Sequence, residues 1–213
     1  MMAVPSARAA ETRERILSAA AEEFAERGYA GTSIGSIAER AGIGKGLVQY
    51  HFKAKVDLAV TLVQATFAQA PFANVVTTDP PPRGIAAIVA SIRAVSRAFR
   101  DTVRVRAAVR LVREYDIIPV VFPTPYVGWM AVMAQCLRDA TDDGDIPPGL
   151  DFETEGWHLV ATFTGVQETS HRLTQRQDLP ERIEEMLQRQ LRLFGVVDPE
   201  RFLRQGSNQA PIS

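Results

Sequence analysis

The chain has 213 residues, 46% hydrophobic and 23% charged, enough to bury a sizeable core in one large or two small domains. Its net charge of −1 argues against a protein that coats nucleic acid over its whole surface, and its single cysteine, Cys136, excludes an intramolecular disulfide framework and a cysteine zinc site. No apolar run approaches the roughly 18 residues needed to span a bilayer, and residues 1–10 lack the apolar centre of a secretory leader, so the expected location is the cytoplasm, with no membrane partner.

The first helix is expected from about Glu11 to Arg27, where Ile16, Leu17, Ala20, Phe24 and Ala25 recur with helical period and Gly28 ends the run. A second follows Thr32 or Ser33, either of which caps it, with Ile34, Ile37, Ala38 and Ala41 on one face. Gly42 supplies the left-handed stop, and a third helix runs from Lys45 to His51. Its spacing turns Leu47 and Val48 inward and leaves Lys45, Gly46, Gln49, Tyr50 and His51 for a partner. Such a pair of helices enters a DNA major groove in some proteins and merely packs in others, and spacing alone leaves both open.

A fourth helix is expected from Ala54 to Phe72, the one obvious connector, followed by a surface loop at Asn74–Gly84 with its three consecutive prolines. Ile85, Ile88, Val89, Ile92, Val95 and Phe99 mark a strong helix, and another spans Thr102–Glu114. On the latter, Arg106, Arg110 and Arg113 share a face suited to phosphates, a carboxylate ligand or acidic residues of the first domain; solvated ion pairing is the simplest reading. Prolines 119, 123 and 125 break the chain before a helix over Tyr126–Ala140. The acidic turn at Asp142–Asp145 lacks the ligand spacing of a calcium loop. Two more helices span Phe152–Thr174, apolar on two sides, and Pro180–Phe194, with a continuous apolar stripe. The tail after Arg204 is polar, with disorder expected over 205–213. The fold class expected is therefore all-α.

Residues 1–55 carry eight Lys or Arg against six Glu, a net +2 that leaves −3 on the rest, the pattern of a DNA-binding head on an acidic body. The head resembles the N-terminal domain of TetR-type repressors. The match lies in Thr32, Ile37-Ala38, Ala41-Gly42-Ile43, Lys45-Gly46, His51-Phe52 and Lys55; Gly44 and Gln49 depart from the pattern, which usually has Ser or Thr and Tyr there. The resemblance implies a helix-turn-helix domain over 1–55, with Thr32, Ser33, Lys45, Gly46, Gln49, Tyr50, His51 and Lys55 at double-stranded operator DNA, and a helical ligand-binding and dimerisation domain over 56–204.

The body is similar to the γ-butyrolactone autoregulator receptors of that family through Val105–Leu111, Pro123–Trp129 and Gly165-Val166. That likeness implies a pocket closed by Trp129 over a small lactone, furan or butenolide; from the residues alone, Trp129 is a core tryptophan. Helix phase adds Val89, Ile92, Met130, Met133 and Phe163 as walls. A homodimer is expected through Trp157, Ile183, Met186, Leu187 and Leu191. No cofactor or metal is implied. A drug or other hydrophobic effector is the alternative signal, and an enzyme is disfavoured because His158 and His171 lie thirteen residues apart without a paired carboxylate motif.

Overall fold

The computed structural model describes residues 7–67, 80–120 and 125–205; among them are ten helices and no strand, the all-α class expected. Helices α1–α4 and α6 form one compact unit, and α5 with α7–α10 form a second.

In the first unit, α1 spans Ala7–Gly31 with a kink at Gly28, whose φ of +70° and ψ of −176° are not helical, so the regular run ends there as expected and Tyr29–Gly31 continue beyond the kink. A Cβ on Gly28 would collide with the Glu114 carboxylate and lie 2.8 Å from the Arg110 guanidinium. Ser33 caps α2 (Ile34–Arg40): its hydroxyl accepts from the Ser36 amide at 3.0 Å while the Ser36 hydroxyl accepts from the Ser33 amide at 3.1 Å. Gly42 takes the left-handed conformation that the turn requires, at φ +63°. Helix α3 occupies Lys45–His51 as expected, and α4 covers Lys55–Phe67; residues 68–72 of its expected extent and most of the Asn74–Gly84 loop lie outside the described residues.

The expected division at residue 55 does not follow the packing. Helix α6 (Val103–Arg113) lies against α1 and α4, and its Ala107, Ala108 and Leu111 share one apolar cluster with Ile16, Phe24, Ile37, Val48, Leu58 and Leu62. Two small alanines let α6 approach closely, so a helix from the middle of the chain completes the core of the head. Of the three arginines that share a face of α6, Arg110 forms an ion pair, with Glu114 at 2.9 Å, and donates to the carbonyls of Ala25 and Glu26; elsewhere on the helix Arg104 binds Glu14 and donates to Ser18 at 2.8 Å.

Helix α2 is fixed to α1 through Arg40, which contacts Glu22, Glu23 and Glu26 at 3.0, 2.7 and 2.6 Å. Burial alone would raise the Glu23 carboxyl, but hydrogen bonds from Arg40 and Ser36 and the Arg27 charge hold it below its usual value. A carboxyl with a lowered folded-state pKa stabilises above its unfolded value, and that contribution disappears as pH falls through the folded one. Arg40→Ala removes the stabilising partner but leaves the burial. It is therefore expected to lower Tm at pH 7, with the deficit shrinking as acid protonates Glu23. A deficit independent of pH in thermal melts would show that Arg40 acts by packing alone.

In the second unit, α5 (Gly84–Asp101), α7 (Pro125–Asp142), α8 (Phe152–Thr174) and α9 (Leu179–Leu193) pack with a short last helix, α10 (Pro199–Gln205). Gly156 sets the α7–α8 approach: a Cβ on it would lie 2.8 Å from the Met130 carbonyl oxygen. Helix α10 occupies part of what sequence suggests is body end and polar tail. Asp198 caps it by accepting from the Arg201 amide at 3.2 Å, Phe202 and Leu203 are buried, and Arg93 ties it down, donating to the Leu203 carbonyl at 2.7 Å and to both Glu184 oxygens. Residues 206–213 lie outside the described part. Cys136 is buried, which pushes its thiol up to about 11 and leaves it protonated at neutral pH.

Candidate nucleic-acid interface and signal-binding core

Helix α3 is held by one side chain. Val48 is fully buried, and Phe52, just past the helix, is buried under the Arg13 guanidinium at 4.8 Å from its ring centre. Lys45, Gly46, Gln49 and Tyr50 are exposed, and half-buried His51 stands edge-on to Tyr50 at 5.3 Å between ring centres. Ser33 is exposed at the start of α2. The outward row combines a cation, an amide, a phenol and an imidazole on a short helix, the donor and acceptor set that meets phosphates and base edges.

Three of the expectations for this face change. Leu47, expected inward, is 42% exposed, because a seven-residue helix touching the core through Val48 turns its neighbour outward. Thr32, expected at DNA, is buried, and its hydroxyl donates to the Gly28 carbonyl at 2.7 Å. Lys55, expected at a phosphate, turns inward: its ammonium donates to the carbonyls of Tyr29 and Thr32 at 2.6 and 2.9 Å and lies 4.1 Å from the centre of the Tyr29 ring. Burial lowers the Lys55 pKa, with the Glu114 charge opposing. The same Glu114 accepts from the Tyr29 amide at 2.6 Å. Lys55 and Glu114 thus satisfy backbone groups left over where α1 bends and ends.

A positioning lysine and a phosphate-binding one respond differently to salt. Lys55→Ala is expected to cost about 1.5–3 kcal/mol of stability, as charged hydrogen bonds are lost, and to leave the salt slope of DNA binding unchanged. Lys45→Ala is expected to reduce that slope by about one while leaving the melt unchanged. Parallel titrations over a salt series and urea melts of both variants separate the two roles; a flattened slope in Lys55→Ala would return it to the phosphates.

In the second unit, Trp129 is 2% exposed. Its indole N–H donates to the Ser91 hydroxyl at 3.3 Å, and its ring meets Phe163 edge-on at 5.0 Å; Phe163 in turn meets Phe99 at 5.8 Å. Val89, Ile92 and Met133 are buried as well, and Met130 is half-buried. Ser91, buried and polar beneath the tryptophan, is the residue sequence reasoning missed; its place on the apolar face of α5 was the available signal.

The expected dimer residues require a larger correction. Ile183, Met186, Leu187 and Leu191 are between 0 and 5% exposed in a single chain, so the stripe of α9 is used within the protomer's own core. Trp157 remains exposed, together with Leu173 at 77% and Leu193 at 73%. Between α8 and α9 runs an open groove of about 730 Å³, lined in part by Gly165, Val166, Thr169, Leu173, Met186 and Leu193.

A helix-turn-helix head with a bared second helix, joined to an all-helical body, defines a two-part helical regulator. Residues 16–62 match the bacterial regulatory proteins of the tetR family, and residues 84–197 match the tetracyclin repressor-like C-terminal domain. The chain belongs to the TetR family of transcriptional regulators, and it falls among the relatives of the γ-butyrolactone receptors. It is 28% identical over 180 residues to the A-factor receptor protein of Streptomyces griseus, an alignment that takes in 84% of this chain and spans 62% of that receptor. A solved structure described as the molecular basis for control of antibiotic production by bacterial hormones is 35% identical, with TM-score 0.73, over 87% of this chain and 96% of that one. CprB from Streptomyces coelicolor, solved in complex with its operator sequence, is 26% identical with TM-score 0.77, over 93% and 96% of the two chains.

Proposed function

We propose that the protein is a cytoplasmic repressor that binds a pseudo-palindromic operator as a homodimer and leaves it when a small hydrophobic signal of the γ-butyrolactone, furan or butenolide type binds the body. The observation that carries the DNA reading is the outward row Lys45, Gln49 and Tyr50 on a helix anchored by buried Val48. One such helix reads few base pairs, and two-fold symmetry doubles the number read. Ser33, Gly46 and His51 complete the DNA face. The operator complex of CprB supports this reading.

The dimer surface is the outer side of α8 and α9, where Trp157, Val166, Leu173 and Leu193 stay accessible once the α9 stripe has been used internally. The signal site is the core around Trp129, where Val89, Ile92, Met130, Met133 and Phe163 would make room for the ligand, with Ser91 and the indole N–H as its polar pair. A signal releases DNA only by binding the DNA-free conformation more tightly, and reversing occupancy from about 99:1 to 1:99 takes a difference of about 5.5 kcal/mol. We assign no enzymatic step, because the relatives are regulators. Selecting duplexes from a random library and measuring the mass of the complex tests the DNA reading: two protomers on an inverted repeat are expected. A single protomer on an asymmetric site, or no sequence preference, would overturn it.

A further inference from the structure

We propose that Leu47 reads the C5-methyl group of a thymine in each operator half-site, which makes it a specificity-determining residue of α3. The inference rests on the DNA-binding reading above and deepens it. Leu47 is the third residue of α3 and is 42% exposed, while its neighbour Val48 is fully buried and fixes the rotation of the helix. Three residues on, hence on the same side, Tyr50 is 81% exposed. Nothing lies within 4 Å of where a Cβ would stand on Gly44 or Gly46, so the backbone on either side of Leu47's turn is open to close approach.

An apolar side chain held in water on a helix that docks into DNA needs an apolar partner there. Among the groups displayed on the major-groove floor, the donors and acceptors of guanine, cytosine and adenine offer none; the thymine methyl is the one apolar group. The sugar–phosphate backbone is met by Lys45, whose charge suits it, and adenine by Gln49, whose amide matches N6 and N7. Leu47 and Gln49 flank Val48 on the same short helix, so an A·T-containing step in each half-site follows.

Replacing thymine by deoxyuridine removes the methyl and nothing else. Each thymine of the selected operator is to be exchanged in turn, in both half-sites together, with wild type and Leu47→Ala compared in anisotropy titrations at fixed salt. One symmetric thymine position is expected at which wild type loses about fourfold per half-site, the equivalent of about 0.8 kcal/mol for one buried methyl. Leu47→Ala is expected to bind the unmodified operator more weakly and to be indifferent to that exchange, while keeping the wild-type melting curve because Leu47 lies outside the core. Wild-type insensitivity at every thymine, or the same sensitivity in Leu47→Ala, would overturn the assignment while leaving operator binding intact. Absence of preference for the selected duplex over a scrambled one would remove the DNA-binding reading and the Leu47 assignment together.

Discussion

Leu187→Asp is expected to unfold the second compact unit instead of merely splitting a dimer. Leu187 is fully buried on α9 with Ile183 and Leu191, and with Phe194 just past its end. Truncating such a leucine costs about 2–5 kcal/mol, and forcing a carboxylate into its place adds several more, a sum that reaches the about 5–15 kcal/mol by which whole domains are stable. Leu193→Glu and Leu173→Glu sit on the same two helices but lie 73 and 77% exposed, so they are expected to keep native helicity and convert dimer to monomer. Sedimentation velocity and urea melts of the three variants check this. A folded monomer from Leu187→Asp, or an undisturbed dimer from both glutamate variants, would put the interface elsewhere.

The second large effect is on signal response. Trp129→Ala is expected to retain operator binding and lose release. The substitution costs about 3–5 kcal/mol of packing against Phe163 and its neighbours, so the second unit melts lower, and it deletes both the ring and the donor that are proposed to meet the signal. Trp129→Phe separates these losses. It keeps an aromatic body in the core and removes the N–H now bonded to Ser91, so release should persist with signal affinity about tenfold weaker, the worth of one hydrogen bond. Isothermal titration and operator anisotropy on both variants test this. Wild-type affinity in Trp129→Ala would place the signal away from this core.

What was legible in the sequence and what was not divides on physical grounds. The helix-turn-helix could be read because its determinants are local: a serine cap, a left-handed Gly42 and a short apolar period all act within about twenty residues. The phase of α3 was half legible, since Leu47 and Val48 are adjacent and a two-turn helix has too few apolar positions to say which faces in. The fate of Lys55 was hidden, because it depends on carbonyls at Tyr29 and Thr32, 26 and 23 residues away, brought near by the bend of α1. The same holds for α6. Its apolar face was evident, but that it completes the core of the head is a tertiary fact. In α9 the stripe announced burial without saying against what, and the protomer's own core uses it. Helix α10 is a two-turn helix with only Phe202 and Leu203 as apolar residues, too few to show a period, and its burial depends on Arg93 and α9 far away in the chain.

One titration tests signal-driven release most directly: a preformed complex of the full chain with its selected operator, followed by fluorescence anisotropy as a γ-butyrolactone bearing an alkyl tail is added, with its ring-opened hydroxy acid as the control. The lactone is predicted to return the DNA to its free anisotropy in a saturable manner, and the charged hydroxy acid to have no effect, because entering the apolar core around Trp129 would strip a carboxylate of its water. DNA that stays bound at saturating lactone, butenolide and furan, or release by lactone and hydroxy acid alike, would contradict a hydrophobic signal acting through this core.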